Sequence, residues 1–294
     1  MVTTLSIRKI IFIMISVLSF CSLYSQELIP FQNQLNGLWG YKNNSGNVVI
    51  NSIFQSARNF HDSIACVTYE NQDNSSIDSL YIDENGKTIF NGHGANLDDF
   101  SCGYGLGCEN WNYFFYVNKK GVRSKNYRGL AFSFSENYAI LYDDKSYHII
   151  DTKFNIVAVL PFTFDQGYKM SKYGFGVFHS GLTPIKNISD KWGYMDIHGQ
   201  VKIGLEYDWV SRFFENYALV FNNIKKQWNL IDQNGNIVAS YVAQDNHYSM
   251  IQNYLEQSVV DQILENNLEN INNPDNLQNK LINIMDKIDE SLNK

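Results

Sequence analysis

Large apolar residues alternate with polar or small ones in six stretches of the chain, and each stretch leads into the same kind of turn. The clearest stretch is 191–201, where Trp192 and Tyr194 precede Asp196, and Gly199 follows three residues later. Strand side chains alternate between two faces, so large residues at every second position predict a strand with one face on a core. Aspartate and glycine at this spacing predict a tight turn, because the carboxylate can accept bonds from its own backbone and glycine tolerates positive φ.

The first turn residue is Asp or Asn in all six stretches, at Asn43, Asp83, Asn118, Asp151, Asp196 and Asp232. Three residues later stands glycine in five stretches and Phe154 in the other. We call the strand before the turn strand a and the apolar strand after it strand b. A third apolar segment, strand c, is predicted before strand a at 28–31, 64–67, 104–107, 138–141, 175–178 and 217–220.

These six c-a-b units recur at spacings of 33 to 45 residues, which are typical of repeat architectures. Short turns join the strands within a unit, so the three strands form an antiparallel sheet, whereas a longer connection leads to the next strand c. One unit cannot bury its apolar face alone, so neighbouring units must stack. The sequence therefore predicts a mainly β fold of six three-stranded antiparallel units, arranged as an open β-repeat superhelix or as a closed, propeller-like ring.

Two segments of strand a carry a recognisable signature, LWGY at 38–41 and KWGYMD at 191–196. With the glycine turn and the apolar strand that follow, they resemble the WG repeats of bacterial proteins. The elements FSENYA at 134–139 and FFENYA at 213–218 resemble a further part of that repeat. The resemblance covers about residues 28 to 240. It implies β-rich repeats and, usually, an interaction role, and it supplies no catalytic residues.

Both ends of the chain depart from the repeat. In residues 1–25, Arg8 and Lys9 precede an apolar run of 14 residues, which predicts a secretory signal peptide. Residues 26–241 form the predicted repeat domain. Beyond it, apolar residues at three- and four-residue steps in 242–294 predict a helical hairpin. This hairpin either caps the last repeat or associates with a second copy of the chain.

The chain is acidic, with 23 basic and 30 acidic residues and a net charge of −7. Loss of the predicted signal peptide would remove Arg8 and Lys9 and no acid, leaving 21 basic residues. Such a surface, without basic runs, argues against nucleic acid as a partner. Together with the signal peptide it predicts a secreted, periplasmic or cell-surface protein with no membrane span after cleavage.

Two polar inserts lengthen the connection between strands c and a, at 70–79 and 179–190. Inserts at equivalent positions of a repeat lie along one rim, which is often the binding face. These considerations give four candidate binding residues, Asn74, His179, Lys186 and Trp209. The tryptophan is included because it lies outside the strand-a position that predicts burial. The expected partner of this rim is a protein or an envelope glycan.

Motifs for catalysis and metal binding are missing from the sequence. The six histidines show no His-Glu-x-x-His spacing, and no Gly-x-Ser-x-Gly elbow occurs. The turn at 83–86 lacks the alternating acids of a calcium loop, and the glycine-rich stretch 103–107 lacks the lysine of a phosphate loop. We therefore expect no catalytic residue, no cofactor and no metal.

Three cysteines lie beyond the predicted signal peptide, at Cys66, Cys102 and Cys108. An extended chain would hold the last two too far apart for a disulfide, so that bond would require a bend in the glycines between them. Free, buried thiols are the favoured expectation.

The leading hypothesis is a non-catalytic binding module of the cell envelope or exterior. The alternatives are a structural scaffold that is oligomerised by its C-terminal helices and, with least support, an envelope hydrolase.

Overall fold

Six small antiparallel sheets dominate this computed structural model, which describes residues 27–71, 76–243, 251, 257–268 and 276–292. The strands are β1 (Leu28–Gln32), β2 (Trp39–Asn43), β3 (Val48–Phe54), β4 (Ser56–Ala57), β5 (Ile64–Asn71), β6 (Ser76–Asp83), β7 (Thr88–Asn91), β8 (Asn96–Ser101), β9 (Tyr104–Glu109), β10 (Tyr113–Asn118), β11 (Tyr127–Arg128), β12 (Tyr138–Tyr142), β13 (Tyr147–Asp151), β14 (Ile156–Leu160), β15 (Leu182–Lys186), β16 (Trp192–Asp196), β17 (Val201–Tyr207), β18 (Trp209–Val210), β19 (Tyr217–Asn222), β20 (Gln227–Asp232) and β21 (Ile237–Val242). The helices with described bounds are α1 (Phe164–Ser171), α2 (Gln257–Leu268) and α3 (Leu277–Leu292). The predicted mainly β, antiparallel fold is confirmed.

Strands c and a pair in all six sheets, as β1–β2, β5–β6, β9–β10, β12–β13, β15–β16 and β19–β20. The sheets are not uniformly three-stranded, however. In three of them the connection before strand c contributes a short fourth strand at the edge, as β4, β8 and β18. In the third unit the two-residue β11 pairs with β10 where a longer strand b is predicted. The six predicted units are therefore an approximation, and the choice between a superhelix and a closed ring stays a prediction.

The predicted turn chemistry is confirmed in all six units. In the fifth unit the Asp196 carboxylate accepts bonds from the amides of His198 and Gln200 at 2.9 and 3.0 Å. The same pair of bonds forms at the other five turn residues: Asn43, Asp83, Asn118, Asp151 and Asp232. Gly199 has a φ of +76°, and Phe154 takes +65° at the equivalent position of the fourth unit. Local hydrogen bonding thus sets these turns.

A buried tyrosine on strand a ties several units to the connection that follows them. The hydroxyl of the fully buried Tyr194 donates to the carbonyl oxygen of Ser211 at 2.8 Å. The same bond recurs at 2.7 Å in two other units, from Tyr41 to Arg58 and from Tyr116 to Phe132. In the fourth unit Tyr147, two residues earlier on strand a, makes a similar bond to Phe164 at 3.0 Å. Burial raises the pKa of Tyr194 well above its usual value, so the hydroxyl keeps the proton that it donates.

The turn of the sixth unit also packs on strand b of the fifth unit. A Cβ on Gly235 would lie 3.3 Å from the Ile203 side chain, so the glycine allows a close approach as well as a positive φ. Phe154, which replaces this glycine in the fourth unit, instead places its ring among three other aromatic rings, at centroid distances of 5.3 to 5.9 Å: Tyr104, Tyr116 and Phe134. Its side chain therefore adds to the aromatic packing between the third and fourth units.

The Trp-Gly pair of strand a lies opposite a bulge in strand b. In the fifth unit Trp192 pairs with Tyr207 and Tyr194 pairs with Ile203, so strand b has two more residues than strand a over this interval. The first unit has the same register, with the pairs Trp39–Phe54 and Tyr41–Ile50. The glycine of the Trp-Gly pair therefore faces the extra residues of strand b.

One predicted strand of the fifth unit is wrong. The pattern predicts strand c at 175–178, whereas the structure has it at Leu182–Lys186. Residues 175–178 belong to the irregular segment between α1 and β15. A two-residue loop of Ser180 and Gly181, with φ values of +57° and +72°, leads into the true strand.

The C-terminal helices pack against each other and against the last sheet, β18 to β21. Buried apolar residues of the sheet and of α3 share one core, among them Trp228, Leu230, Ala239, Leu281, Ile284 and Ile288. Gln278 of α3 accepts a bond from the Ser240 amide at 3.2 Å and donates to the Ser240 carbonyl at 2.9 Å, so it also pairs with the edge strand β21. This packing is the one that the capping interpretation predicts.

The chain divides into two compact parts at Asn91 and Gly92. The N-terminal part contains β1 to β7, with a core that includes Tyr41, Val67 and Ile82. The C-terminal part contains the other four sheets and the described helices. The candidate site lies entirely within the C-terminal part.

Candidate functional site

A groove of about 660 Å³ lies between α1 and the hairpin formed by β15 and β16. Helix α1 and the residues directly after it form one wall. The turn at 187–190 forms the other wall, and Lys186 and Trp192 of the hairpin strands complete the lining. A cavity of this volume falls in the range of small-ligand sites.

Local sequence fixes the position of α1. The Thr163 hydroxyl accepts a bond from the Gln166 amide, and the Gln166 side chain accepts one from the Thr163 amide, which together form a capping box. Gly167 is buried against the Tyr147 ring, and the space there leaves no room for a Cβ. The Tyr147 hydroxyl also donates to the Phe164 carbonyl at 3.0 Å. The helix is therefore held on strand β13 of the fourth unit.

The hairpin turn forms the second wall through a side chain that bonds to the backbone. Asn187 Oδ1 accepts bonds from the amides of Ser189 and Lys191, each at 2.9 Å. Asp190 closes the turn with a φ of +59°. Ile188 at the tip is 92% exposed, so this turn presents an apolar side chain to solvent beside the groove.

The floor of the groove is aromatic. The Tyr173 and Trp192 rings pack with centroids 4.8 Å apart at an angle of 59°. Trp192 is buried and Tyr173 is half-buried, so the tyrosine presents the accessible ring. Lys186 Nζ lies 5.3 Å from the Trp192 centroid and Lys172 Nζ lies 5.8 Å from the Tyr173 centroid, both within cation–π range.

Two ion pairs line the walls. Lys169 Nζ lies 2.8 Å from Asp165 on α1, and Lys186 Nζ lies 2.8 Å from Asp190 on the hairpin. The bond to Asp165 raises the pKa of Lys169, and the bond from Lys186 lowers the pKa of Asp190. Lys169 and Asp190 therefore stay charged at neutral pH. Exposed pairs of this kind are weak, so their partners can exchange.

An exposed aromatic side chain stands at the groove. Tyr168 lines it and is 61% exposed, and its ring stacks on that of Phe164 at a centroid distance of 6.2 Å and an angle of 19°. An aromatic ring exposed next to a cavity is better evidence of a binding site than apolar residues scattered over the surface. The sequence interpretation does not select Tyr168.

The four predicted binding residues do not come together. Lys186 lines the groove, as described above. Asn74 lies outside the described residues, and His179 lies in a different cluster. The insert at 179–190 is also not a continuous loop, because β15 occupies five of its residues.

The structure places Trp209 in the core, where the sequence interpretation expects an exposed contact. Its side chain is 3% exposed, and its ring packs on Trp228 at a centroid distance of 5.4 Å. The reason is topological: Trp209 begins β18, the additional edge strand of the last sheet, and its ring turns toward the core shared with the C-terminal helices.

His179 belongs to a polar cluster between the fifth unit and α2. Its Nε2 accepts a bond from Arg212 Nη1 at 3.2 Å, and Arg212 lies 3.7 Å from carboxylate oxygens of Asp261 and of Glu265. Burial, together with the Arg212 charge, lowers the pKa of His179 to about 4. Burial raises the pKa of Asp261. The histidine is therefore neutral in the folded protein at neutral pH.

This depressed pKa predicts a loss of stability in mild acid. The unfolded chain takes up a proton at His179 near pH 6.5, whereas the folded chain does so near pH 4. The contribution of neutral His179 to the free energy of unfolding is therefore complete above pH 6.5 and falls as the pH drops toward 4. With a discount for partial exposure, the loss is on the order of 2 kcal/mol. The difference in unfolding free energy between pH 7.5 and pH 4.5, measured by urea titration, should shrink by this amount in His179→Gln.

The exposed His198 supplies the matched control, because His198→Gln removes a histidine without this environment. Equal acid sensitivity of His179→Gln and the unaltered chain would contradict the prediction. Glutamine keeps a hydrogen-bond acceptor for Arg212. The effect of His179→Gln therefore reports the protonation of His179 and not the loss of its bond to Arg212.

The sequence contains a signal for the true strand c of the fifth unit. The stretch FHSGL at 178–182 has the same form as FSENY at 134–138, which precedes strand c of the fourth unit. The Thr163 and Gln166 pair is likewise a visible helix start. The contact of Tyr173 with Trp192 has no such signal, because it depends on how α1 folds back onto β16.

The described residues contain no group of three or more His, Cys, Asp or Glu side chains that could hold a metal ion. Of the described cysteines, Cys66 is buried, and Cys102 and Cys108 are half-buried free thiols. Among the described helices, none has the length and apolarity needed to cross a membrane.

Residues 39–72 and 192–225 match the model of the WG containing repeat. These two segments are strands a and b, with the residues that follow, of the first and fifth units, the two with a bulge opposite the Trp-Gly pair. The matches support the interpretation of the chain as a WG-repeat protein. Its bacterial origin and its secretion stay predictions.

No curated protein matches the chain. Among solved structures, Hsv2 of Kluyveromyces lactis is 8% identical with a TM-score of 0.41, over 74% of this chain and 80% of that one. BamB of Moraxella catarrhalis is 10% identical with a TM-score of 0.37, over 76% and 75%. A protein of unknown function from Bacteroides caccae is 13% identical with a TM-score of 0.28, over 75% and 78%. These scores are too low to support an argument about function.

Proposed function

We propose that the protein is a non-catalytic binding module of the cell envelope or exterior, and that the groove between α1 and the β15–β16 hairpin holds a short segment of an envelope glycan. The observation that carries this proposal is the lining of the groove. An aromatic floor and an exposed tyrosine lie next to amide, ammonium and carboxylate groups in a cavity of about 660 Å³. The expected signal peptide supports the location.

The size of the groove favours a glycan over a protein. A stable protein interface buries about 800 Å² on each partner, whereas small-ligand sites occupy roughly 300 to 1,000 Å³. A sugar ring has apolar C–H faces that fit an aromatic ring and a rim of hydroxyls that bond to polar side chains. The groove supplies both kinds of contact, through Tyr173 and Tyr168 on one hand and Asn187, Gln166 and the ion pairs on the other.

The carboxylates of the groove support a binding role rather than hydrolysis. A glycoside hydrolase needs a carboxyl group that stays protonated near neutral pH to act as the general acid. Asp190 has a lowered pKa because Lys186 bonds to it. Asp165 is held in an ion pair with Lys169.

The scaffold hypothesis requires the C-terminal helices to meet a second copy of the chain. Their buried apolar residues, among them Leu264, Leu281 and Ile284, already pack on the last sheet or on each other. Self-association would therefore have to use the faces of the helices that stay exposed, where Ile282 lies. For this reason we place the scaffold role second.

The proposal is tested by retention of envelope polysaccharide on the immobilised full chain. Tyr168→Ala should weaken retention about tenfold, because the stacking of a sugar on one aromatic ring is worth on the order of 1 kcal/mol or more. Tyr113→Ala is the matched control, since Tyr113 is also exposed but lies on β10, away from the groove. Both side chains are exposed, so neither change should unfold the chain.

Retention of polysaccharide by the unaltered chain, loss with Tyr168→Ala and no change with Tyr113→Ala would support the groove as the site. Absence of polysaccharide retention, or equal retention by all three chains, would overturn it.

A further inference from the structure

Each ring of the aromatic floor has an ammonium group over it. Lys172 lies over Tyr173, Lys186 lies over Trp192, and the two rings pack on each other. The two lysines therefore approach one aromatic pair from two different segments, the end of α1 and the end of β15. Each cation–π contact restricts a long side chain that would otherwise move freely in solvent.

The lysines are not equally satisfied. Lys186 has a carboxylate partner in Asp190, and Lys169 has one in Asp165. The Lys172 ammonium group lies over the Tyr173 ring. Among the described residues, no carboxylate lies within ion-pair distance of Lys172 Nζ. The lining thus contains three lysines and two aspartates, a positive balance in a chain whose net charge is −7.

We infer that the groove binds a saccharide that carries a carboxylate, such as a uronic acid unit. The sugar lies in the groove beside Tyr173, and its carboxylate accepts bonds from Lys172 and Lys186. This inference rests on the proposed glycan-binding function and adds the charge of the ligand to it. The inference is based on charge complementarity. The chain is acidic overall, yet lysine side chains outnumber aspartates around the accessible aromatic floor of the groove.

Asp190 does not oppose this binding. It is fully exposed at the hairpin turn, and its pair with Lys186 is weak for that reason. A ligand carboxylate can therefore replace Asp190 on Lys186, while Asp190 returns to solvent. Lys172 has no carboxylate partner to exchange, so a substitution of Lys172 should change ligand binding without breaking an ion pair of the free protein.

The matched probes are tetragalacturonate and the neutral galactose tetrasaccharide obtained by reducing its carboxyl groups to alcohols. Calorimetric titration of the full chain should show at least tenfold tighter binding of the acidic form. Lys172→Gln should weaken that binding about tenfold to a hundredfold, as expected for the loss of a hydrogen bond to a charged group. Added salt should weaken it further, since the groove is open to solvent.

Lys202→Gln is the control, because it removes the same charge from an exposed position on β17 outside the groove. It should leave binding unchanged. An acidic peptide, tetraglutamate, is titrated in parallel to test the rival class of ligand.

Equal binding of the acidic and reduced tetrasaccharides, or unchanged binding in Lys172→Gln, would overturn the inference while leaving glycan binding in place. Tighter binding of tetraglutamate than of tetragalacturonate would overturn the saccharide assignment. Failure of the proposed function is a separate result, because it would appear as absence of polysaccharide retention in the experiment with Tyr168→Ala, whatever the charge of the glycan.

Discussion

Replacement of Gly193 by alanine is expected to lower the free energy of unfolding by about 3 kcal/mol or more, at or above the upper end of the usual range for overpacking. The added methyl group would fall on the carbonyl oxygen of Ile203 and lie 2.6 Å from that of Gly204. Both oxygens belong to the backbone of β17, which sheet pairing and the bulge hold in place, so neither can turn aside as a flexible side chain would. Urea unfolding followed by tryptophan fluorescence measures the loss.

Gly204 provides the control on the facing strand. A Cβ at Gly204 would have no heavy atom within 4 Å. Gly204→Ala should therefore leave stability unchanged or raise it by a few tenths of a kcal/mol, because alanine restricts the unfolded chain. Equal effects of the two substitutions would refute the explanation of the Trp-Gly pair by the bulge.

This explanation accounts for where the Trp-Gly pair occurs. The first unit has the same bulge, and a Cβ on Gly40 would lie 2.5 Å from the Ile50 carbonyl oxygen. In the sixth unit the ladder is regular at this point, and Asn229 stands in place of the glycine and bonds to Ser240 at 2.7 Å. The glycine is thus needed where strand b bulges, and a side chain fits where it does not.

Features that depend on a few adjacent residues can be predicted from the sequence. The six Asp or Asn turns are an example, because each needs only one carboxylate or amide, its own backbone and a residue with positive φ. Pairing of strands a and b follows from them, since each turn joins those two strands. Even Phe154, which breaks the glycine pattern, keeps the turn because its Asp151 makes the same two bonds.

Features that depend on contacts between distant residues cannot be predicted in this way. The additional edge strands form only where the connection meets strand c, and their two- to six-residue sequences show no alternation of their own. Trp209 is expected at the surface because it lies outside strand a, yet β18 turns it into the core. Tertiary packing decides both outcomes.

The candidate site shows the same division. The sequence selects Lys186 because it lies in an insert, but strand β15 occupies five residues of that insert, and Lys186 reaches the groove from the end of that strand. It does not select Tyr173 and Tyr168, because their role depends on α1, whose helical start at Thr163 is local but whose position on Tyr147 is not. The sequence therefore indicates the wall of the groove formed by the β15–β16 hairpin, but not the wall formed by α1.

The substitution Leu281→Asp is expected to cause the largest loss of stability, more than about 4 kcal/mol. Leu281 is fully buried on α3 in the core shared with the last sheet, so the substitution both opens a cavity and places a charge without a partner in an apolar site. Ile282→Asp is the control, since Ile282 is the next residue on the same helix and is 40% exposed. It should change stability by less than about 1 kcal/mol, and urea unfolding measures both changes.

The same contrast separates the two roles of the C-terminal helices. If α3 serves as a cap, Leu281→Asp uncovers an apolar face that contains Trp228 and Leu230, and size-exclusion chromatography should show new aggregates in place of the original species. If the helices instead hold two copies of the chain together through their exposed side, Ile282→Asp alone should lower the solution mass from that of a dimer to that of a monomer. Truncation after the last strand would not distinguish these cases, because it removes the cap and the exposed side together.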